Sequence, residues 1–145
     1  MHISLTKLFI LGGLSAVGTF IAQALGGWDT AMIALIVIMG IDYITGVMIA
    51  AVWKKSGKSE TGALESRAGF KGLCRKVTIL LAVLIGVQLD RVMNLDGVAR
   101  TAVILFFIGN EGISIVENMG IMGVPLPPVV VKAFEQLKNR GEENG

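Results

Sequence analysis

Residues 30–53 read TAMIALIVIMGIDYITGVMIAAVW, with Asp42 the only charge among them. About 20 mostly apolar residues suffice for a helix to cross the hydrocarbon core of a bilayer. A soluble chain could hide such a run only inside a large core. This chain has 145 residues, 53% of them hydrophobic and only 17% charged, with a mean hydropathy of +0.71. That leaves too little polar surface to wrap the run in water. Its apolar residues are continuous rather than alternating, which predicts a helix and not a barrel strand.

Working outward, residues 8–27 carry no charge and form another predicted span. A signal peptide is the competing reading there, with Lys7 as its basic start and Ala22-Gln23-Ala24 as a small-x-small cleavage site. Residues 73–93 hold a shorter apolar core, which spans if it borrows Leu73, Val92 and Met93 while Arg75 and Lys76 snorkel to the headgroups. If that segment is instead re-entrant or interfacial, three spans remain. The last predicted span, 98–119, begins with apolar TAVILFFIG and is interrupted by Glu111 and Glu117. Glycines and prolines follow, and Val129 to Arg140 reads as a short amphipathic helix on the inner membrane surface, with Val130, Ala133, Phe134 and Leu137 on one face. The expected class is an all-α membrane protein in one membrane domain, with three to four transmembrane helices and this C-terminal amphipathic helix.

Orientation follows from the basic residues. Lys54, Lys55, Lys58, Arg67, Lys71, Arg75 and Lys76 crowd one connection against Glu60 and Glu65, and Lys and Arg concentrate on cytoplasmic loops. Loop 54–72 is therefore expected inside, as is tail 124–145 with Lys132, Lys138 and Arg140. The connection Gly27-Trp28-Asp29 has no Lys or Arg and is expected outside. Four spans with both termini cytoplasmic satisfy every loop, and Trp28 and Trp53 fall where aromatic belts sit. With little aromatic interleaving and a span on each side, the basic loop fits membrane topology and anionic lipid, not nucleic acid.

Small residues four apart let helices approach closely in lipid. Gly18, Ala22 and Gly26 have that spacing, as do Gly46 and Ala50; the alternative is that Gly and Ala are simply common in membrane helices. Asp42 in mid-span is either a pore-lining or gating carboxylate or a buried structural hydrogen-bonding group. At about 100° per residue, Asn110, Ser114 and Glu117 share one stripe, with Glu111 and Asn118 at its edge. Such a stripe suits a channel wall in an oligomer; otherwise it is an interfacial helix with solvated carboxylates.

The single Cys74 excludes an internal disulfide, and its bland reading is a plain thiol; His2 is a poor catalytic candidate. The sequence has no hydrolase triad, metal-ligand cluster or phosphate loop, so neither an enzyme nor a cofactor is expected.

One ordered set of motifs is more specific. Asp42-Tyr43-Ile44-Thr45-Gly46 is followed by Gly69-Phe70-Lys71-Gly72, Arg75-Lys76 and Leu89-Asp90-Arg91. Then come Asn110-Glu111-Gly112-Ile113-Ser114-Ile115-Val116-Glu117-Asn118 and Gly123-Val124-Pro125-Leu126-Pro127. From about Ile33 to Leu137 this order resembles the toxin-secretion and phage-lysis holin family of bacteria and their phages. The resemblance implies a homo-oligomer in the cytoplasmic membrane that opens lesions for a functionally coupled endolysin or secreted toxin. It carries over to Asp42, Tyr43, Gly46, Asn110, Glu111, Ser114, Glu117, Asn118, Gly123, Pro125 and Pro127. Family members are commonly drawn with three spans. A small ion channel or transporter subunit and a non-conducting antiholin-type regulator are the alternatives; the first would conduct selectively, the second would delay lysis.

Overall fold

The structure, a computed structural model, describes residues 4–54, 57, 58, 60–62 and 65–144; His2, Lys55 and the final Gly145 lie outside the described residues. Helix α1 is Leu5–Ala24, α2 is Thr30–Met48 continued by a wider π-type turn Ile49–Trp53, α3 is Ser66–Met93, α4 is Val98–Ile121 and α5 is Pro128–Glu143. Four of these, α1 to α4, are long and apolar enough to cross a membrane, and no strand is present among the described residues. The third segment is one continuous helix that begins at Ser66, well before residue 73. The basic connection therefore shortens from the expected 54–72, because the amphipathic turns around Arg67, Phe70 and Lys71 are already helical.

The boundaries have local causes. Gly26 and Gly27 take φ of +84° and +99°, a region that costs glycine least. Gly26 is thus a turn residue and not the end of a small-residue stripe on α1. The Asp29 carboxylate caps α2 by accepting from the Met32 amide at 2.9 Å. Lys54 and Asn94, both left-handed, end the second and third spans. Asp90 then caps α4 from outside that helix, accepting from the Ala99 and Arg100 amides at 2.8 and 2.9 Å. Pro128 opens α5 at a position that needs no amide donor.

Helix α4 is the centre of the bundle, packed by α2, α3 and α5, whereas α2 and α3 scarcely meet. The core is Met32, Leu35 and Met39 of α2, Ile79 and Val83 of α3, and Ile104 and Ile108 of α4, with Leu25 beneath. Outside it, Ile33, Val37 and Ile44, together with Val77, Leu81 and Ile85, are exposed. An apolar exterior around a partly polar interior suits lipid as the solvent. Helix α1 stands apart: Ala22 is its buried residue, and Leu8, Phe9, Leu14 and Phe20 are open to the surroundings.

Buried Arg100 ties the far end of the bundle together. Its Nε donates to the Leu25 carbonyl at 2.7 Å, Nη2 to the Gly27 carbonyl at 3.2 Å, and Nη1 to Asp29 at 2.6 Å. That guanidinium holds the Asp29 carboxyl below its ordinary value, against an opposing push from burial. The stabilisation is present above the ordinary carboxylate range and is lost as pH falls through the lowered value.

Helix α5 packs against α4. It folds back antiparallel along α4 toward the Val98 end: Phe134 covers Gly112, the 134–138 backbone crosses Gly109, and Gly141 meets Ala102 and Phe106. The inner face is Val130, Val131, Phe134, Leu137, Lys138 and Gly141, while Ala133 is exposed. Glycines on both helices permit this approach, which the apolar periodicity of α5 alone does not reveal.

Candidate functional site

Each of the three central helices contributes one charge to a single buried cluster. Asp42 sits about 18 Å along α2 at 1.5 Å per residue, on the same buried face as Met32, Leu35, Met39 and Thr45. Lys76 comes from α3 and Glu111 from α4. The Lys76 ammonium bonds both Asp42 Oδ2 and Glu111 Oε2. Glu111 is 0% exposed and Asp42 2%, so two carboxylates share one enclosed ammonium.

Polar neighbours complete the cluster. Asn118 Nδ2 donates to Thr45 Oγ1 at 3.0 Å and reaches Asp42 Oδ1 at 3.5 Å. Thr45 Oγ1 lies 2.9 Å from the Ile41 carbonyl and 3.1 Å from that of Asp42. Ser114 lies beside the Asp42 side chain. Two half-exposed cations stand at the rim: Lys58 Nζ is 3.9 Å from Asp42 Oδ2 and Arg75 Nη2 is 3.5 Å from Glu111 Oε1. Among the described residues Glu111 Oε1 accepts no hydrogen bond, so Arg75 balances it by charge alone. A lone ionised group in mid-membrane costs about 3 kcal/mol on insertion scales. Pairing offsets that cost, and the pairing welds α2, α3 and α4 together.

The structure thus brings Asp42, Glu111, Ser114 and Asn118 together, as their polarity suggested, but inside the protomer. Asn110 is half-buried outside the cluster and Glu117 is exposed. The buried line of α4 is Ile104, Ile108, Glu111, Ile115 and Asn118, spaced alternately four and three as in a helix-packing seam. Grouping polar residues by angle alone centres the stripe about one position away from it. Lys76 does not snorkel; two carboxylates draw it inward. Lys54, Arg67 and Lys71 remain exposed at the basic end. Gly18 has open space around it, whereas Gly46 and Ala50 line the gap between α2 and α3. The close approaches missed from sequence are Gly86 against the Arg100 backbone, and Gly109, Gly112 and Gly141 between α4 and α5. Small residues spaced three apart at Gly109 and Gly112 were the available signal.

Comparison with known proteins is consistent with this layout. The bacteriophage holin family matches residues 19–139, leaving out most of the detached α1. A protein of Bacillus phage phi105 named "Probable holin" is 34% identical over 109 residues, 75% of each chain. An uncharacterised 14.9 kDa protein of Clostridium perfringens from the nagH 3′ region is 38% identical over 133 residues, 91% of this chain and 95% of its own. The Bacillus subtilis protein YqxH is 36% identical over 110 residues, 76% of this chain and 73% of its own. No solved structure matches the chain.

Proposed function

The chain belongs to the bacteriophage holin family, and from that membership we propose that its copies assemble in the cytoplasmic membrane of a bacterial cell and open lesions. An endolysin, or a secreted toxin, is the cargo. The loop carrying Lys54 and Lys58 faces the cytoplasm by its charge.

The observation that carries this reading is the polar side of α5. The contacts of Phe134, Lys138 and Gly141 lay this helix beside residues 102–112, the middle of a helix long and apolar enough to cross a membrane. Its outer face there is exposed Glu135, Gln136, Asn139, Arg140 and Glu142. On insertion scales a charge facing mid-bilayer lipid costs about 2.5–3.5 kcal/mol, so a lone protomer with this face toward acyl chains is strongly disfavoured. A ring of copies turns the same face toward water. In this account α5 lines the lumen, the exposed apolar faces of α1, α2 and α3 meet lipid or neighbouring copies, and the Lys76 cluster is the lock that sets the protomer's closed packing. Gating is therefore assigned to Asp42, Lys76 and Glu111, and lumen contact to α5 more than to the α4 stripe.

Single-cysteine labelling tests the assignment. In a Cys74→Ser background, Asn139→Cys should react with a membrane-impermeant maleimide once lesions form, and Leu81→Cys on the apolar exterior should not. Crosslinking at the same time should give a ladder of oligomers. Asn139→Cys staying unreactive in an otherwise lytic culture would remove α5 from the lumen. A chain that remains monomeric favours a regulator.

A further inference from the structure

We propose that the cleft between α2 and α3 at the basic end of the bundle binds the headgroup of one anionic phospholipid. Both helices pack on α4 but hardly on each other, and they enclose about 650 Å³. That lies within the roughly 300–1,000 Å³ of sites that hold small molecules. Tyr43 of α2 lies across this level against α3, its hydroxyl 3.7 Å from a Cβ position on Gly69 and its ring 3.7 Å from one on Gly72.

The chemistry is graded along the cleft. Its deep end, at Val47 and Thr78, lies within the membrane spans, and its outer end, at Gly57 and Lys58, lies beyond them. Exposed Leu73 and Val77 continue an apolar surface along α3 beside it. Lys58, Lys71, Arg75 and Lys76 line it against two carboxylates, Asp42 and Glu65. Behind that lining Lys76 bonds both Asp42 and Glu111, and Lys58 and Arg75 stand 3.9 and 3.5 Å from those same two carboxylates. Glu65 accepts from the Thr61 hydroxyl at 2.7 Å, so the four cations keep one positive charge over the three carboxylates. Glu65 gives the first turn of α3 no side-chain cap, so the positive end of that helix adds to the attraction for phosphate. A charged head joined to an apolar tail matches both ends; a soluble anion matches only one. A bound lipid would bridge α2 and α3 beside the Asp42–Lys76 pair and so brace the closed packing.

Cys74, the chain's single cysteine, is exposed and lines this cleft, which makes it a native reporter. The full chain, labelled there with an environment-sensitive maleimide, is reconstituted in phosphatidylcholine nanodiscs containing increasing phosphatidylglycerol. A saturating spectral shift is expected. Lys71→Gln combined with Arg75→Gln should weaken it roughly thirtyfold, at the usual contribution of each basic residue near an anionic surface. Lys7→Gln combined with Lys132→Gln, equal in charge but away from the cleft, should leave the titration unchanged. Should the first pair fail to fold, Gly46→Leu fills the cleft without removing charge and should also abolish the shift. A response that rises without saturating, or equal weakening by both pairs, would mean bulk surface charge and overturn the proposal. The same shift produced by glycerol 3-phosphate in solution would replace lipid with a soluble anion. Because lipid binding is the readout, the outcome does not depend on whether the chain opens lesions.

Discussion

Lys76→Met is expected to destabilise the protomer by about 3–5 kcal/mol, the usual consequence of removing one partner from a buried charge cluster. The methionine fits the space but leaves Asp42 and fully buried Glu111 facing one another without the ammonium that bonds both. Lys58 and Arg75, half-exposed at 3.9 and 3.5 Å, compensate only partly. Neutralising the carboxylates in the same chain, with Asp42→Asn and Glu111→Gln, should recover most of the loss, since no uncompensated charge then remains. Unfolding in detergent micelles measures both. In cells, the single variant should shorten the interval before lysis if it still accumulates. A loss below about 1 kcal/mol would show that water reaches the cluster and screens it.

Gly109→Ala should release α5 from α4. An added Cβ would stand 2.5 Å from the Phe134 carbonyl oxygen, and that is backbone of the facing helix, which no rotamer change can move aside. Overpacking of this kind costs about 1–3 kcal/mol. Gly141 faces the same constraint from the other side, 2.5 Å from the Phe106 amide nitrogen. Faster tryptic cleavage at Lys138 and Arg140 in micelles would register the detachment. Gly120→Ala is the matched comparison: nothing lies near its Cβ position, so it should leave cleavage unchanged, and helix propensity gains slightly. Equal cleavage in both variants would mean that α5 is not held by the glycine contacts. If α5 lines the lumen, Gly109→Ala should also blunt lysis.

The four long apolar helices were legible because lipid imposes a coarse requirement on length and composition, and hydropathy measures it directly. Residues 30–53 needed no further information. The start of α3 was not legible, since Arg67, Phe70 and Lys71 form an amphipathic lead-in that an apolar-run criterion discards. Polarity identified Asp42, Glu111, Ser114 and Asn118 as special but could not say whether they face water or each other. That depended on Lys76, whose position beside Arg75 looked like an ordinary membrane-edge cation. Arg100 and Asp29 were similarly obscure: they lie 71 positions apart in sequence, and only the folded turn at Gly26 and Gly27 brings them together. The docking of α5 depended on three glycines acting jointly across two helices, a signal that single-helix periodicity does not carry.

Lesion formation is tested most directly by the membrane potential of cells during induced expression of this chain without an endolysin. The account predicts an interval of normal potential while protomers accumulate in the locked packing, then an abrupt collapse, with lysis following only when an endolysin is supplied. A potential that stays intact at full expression would contradict it.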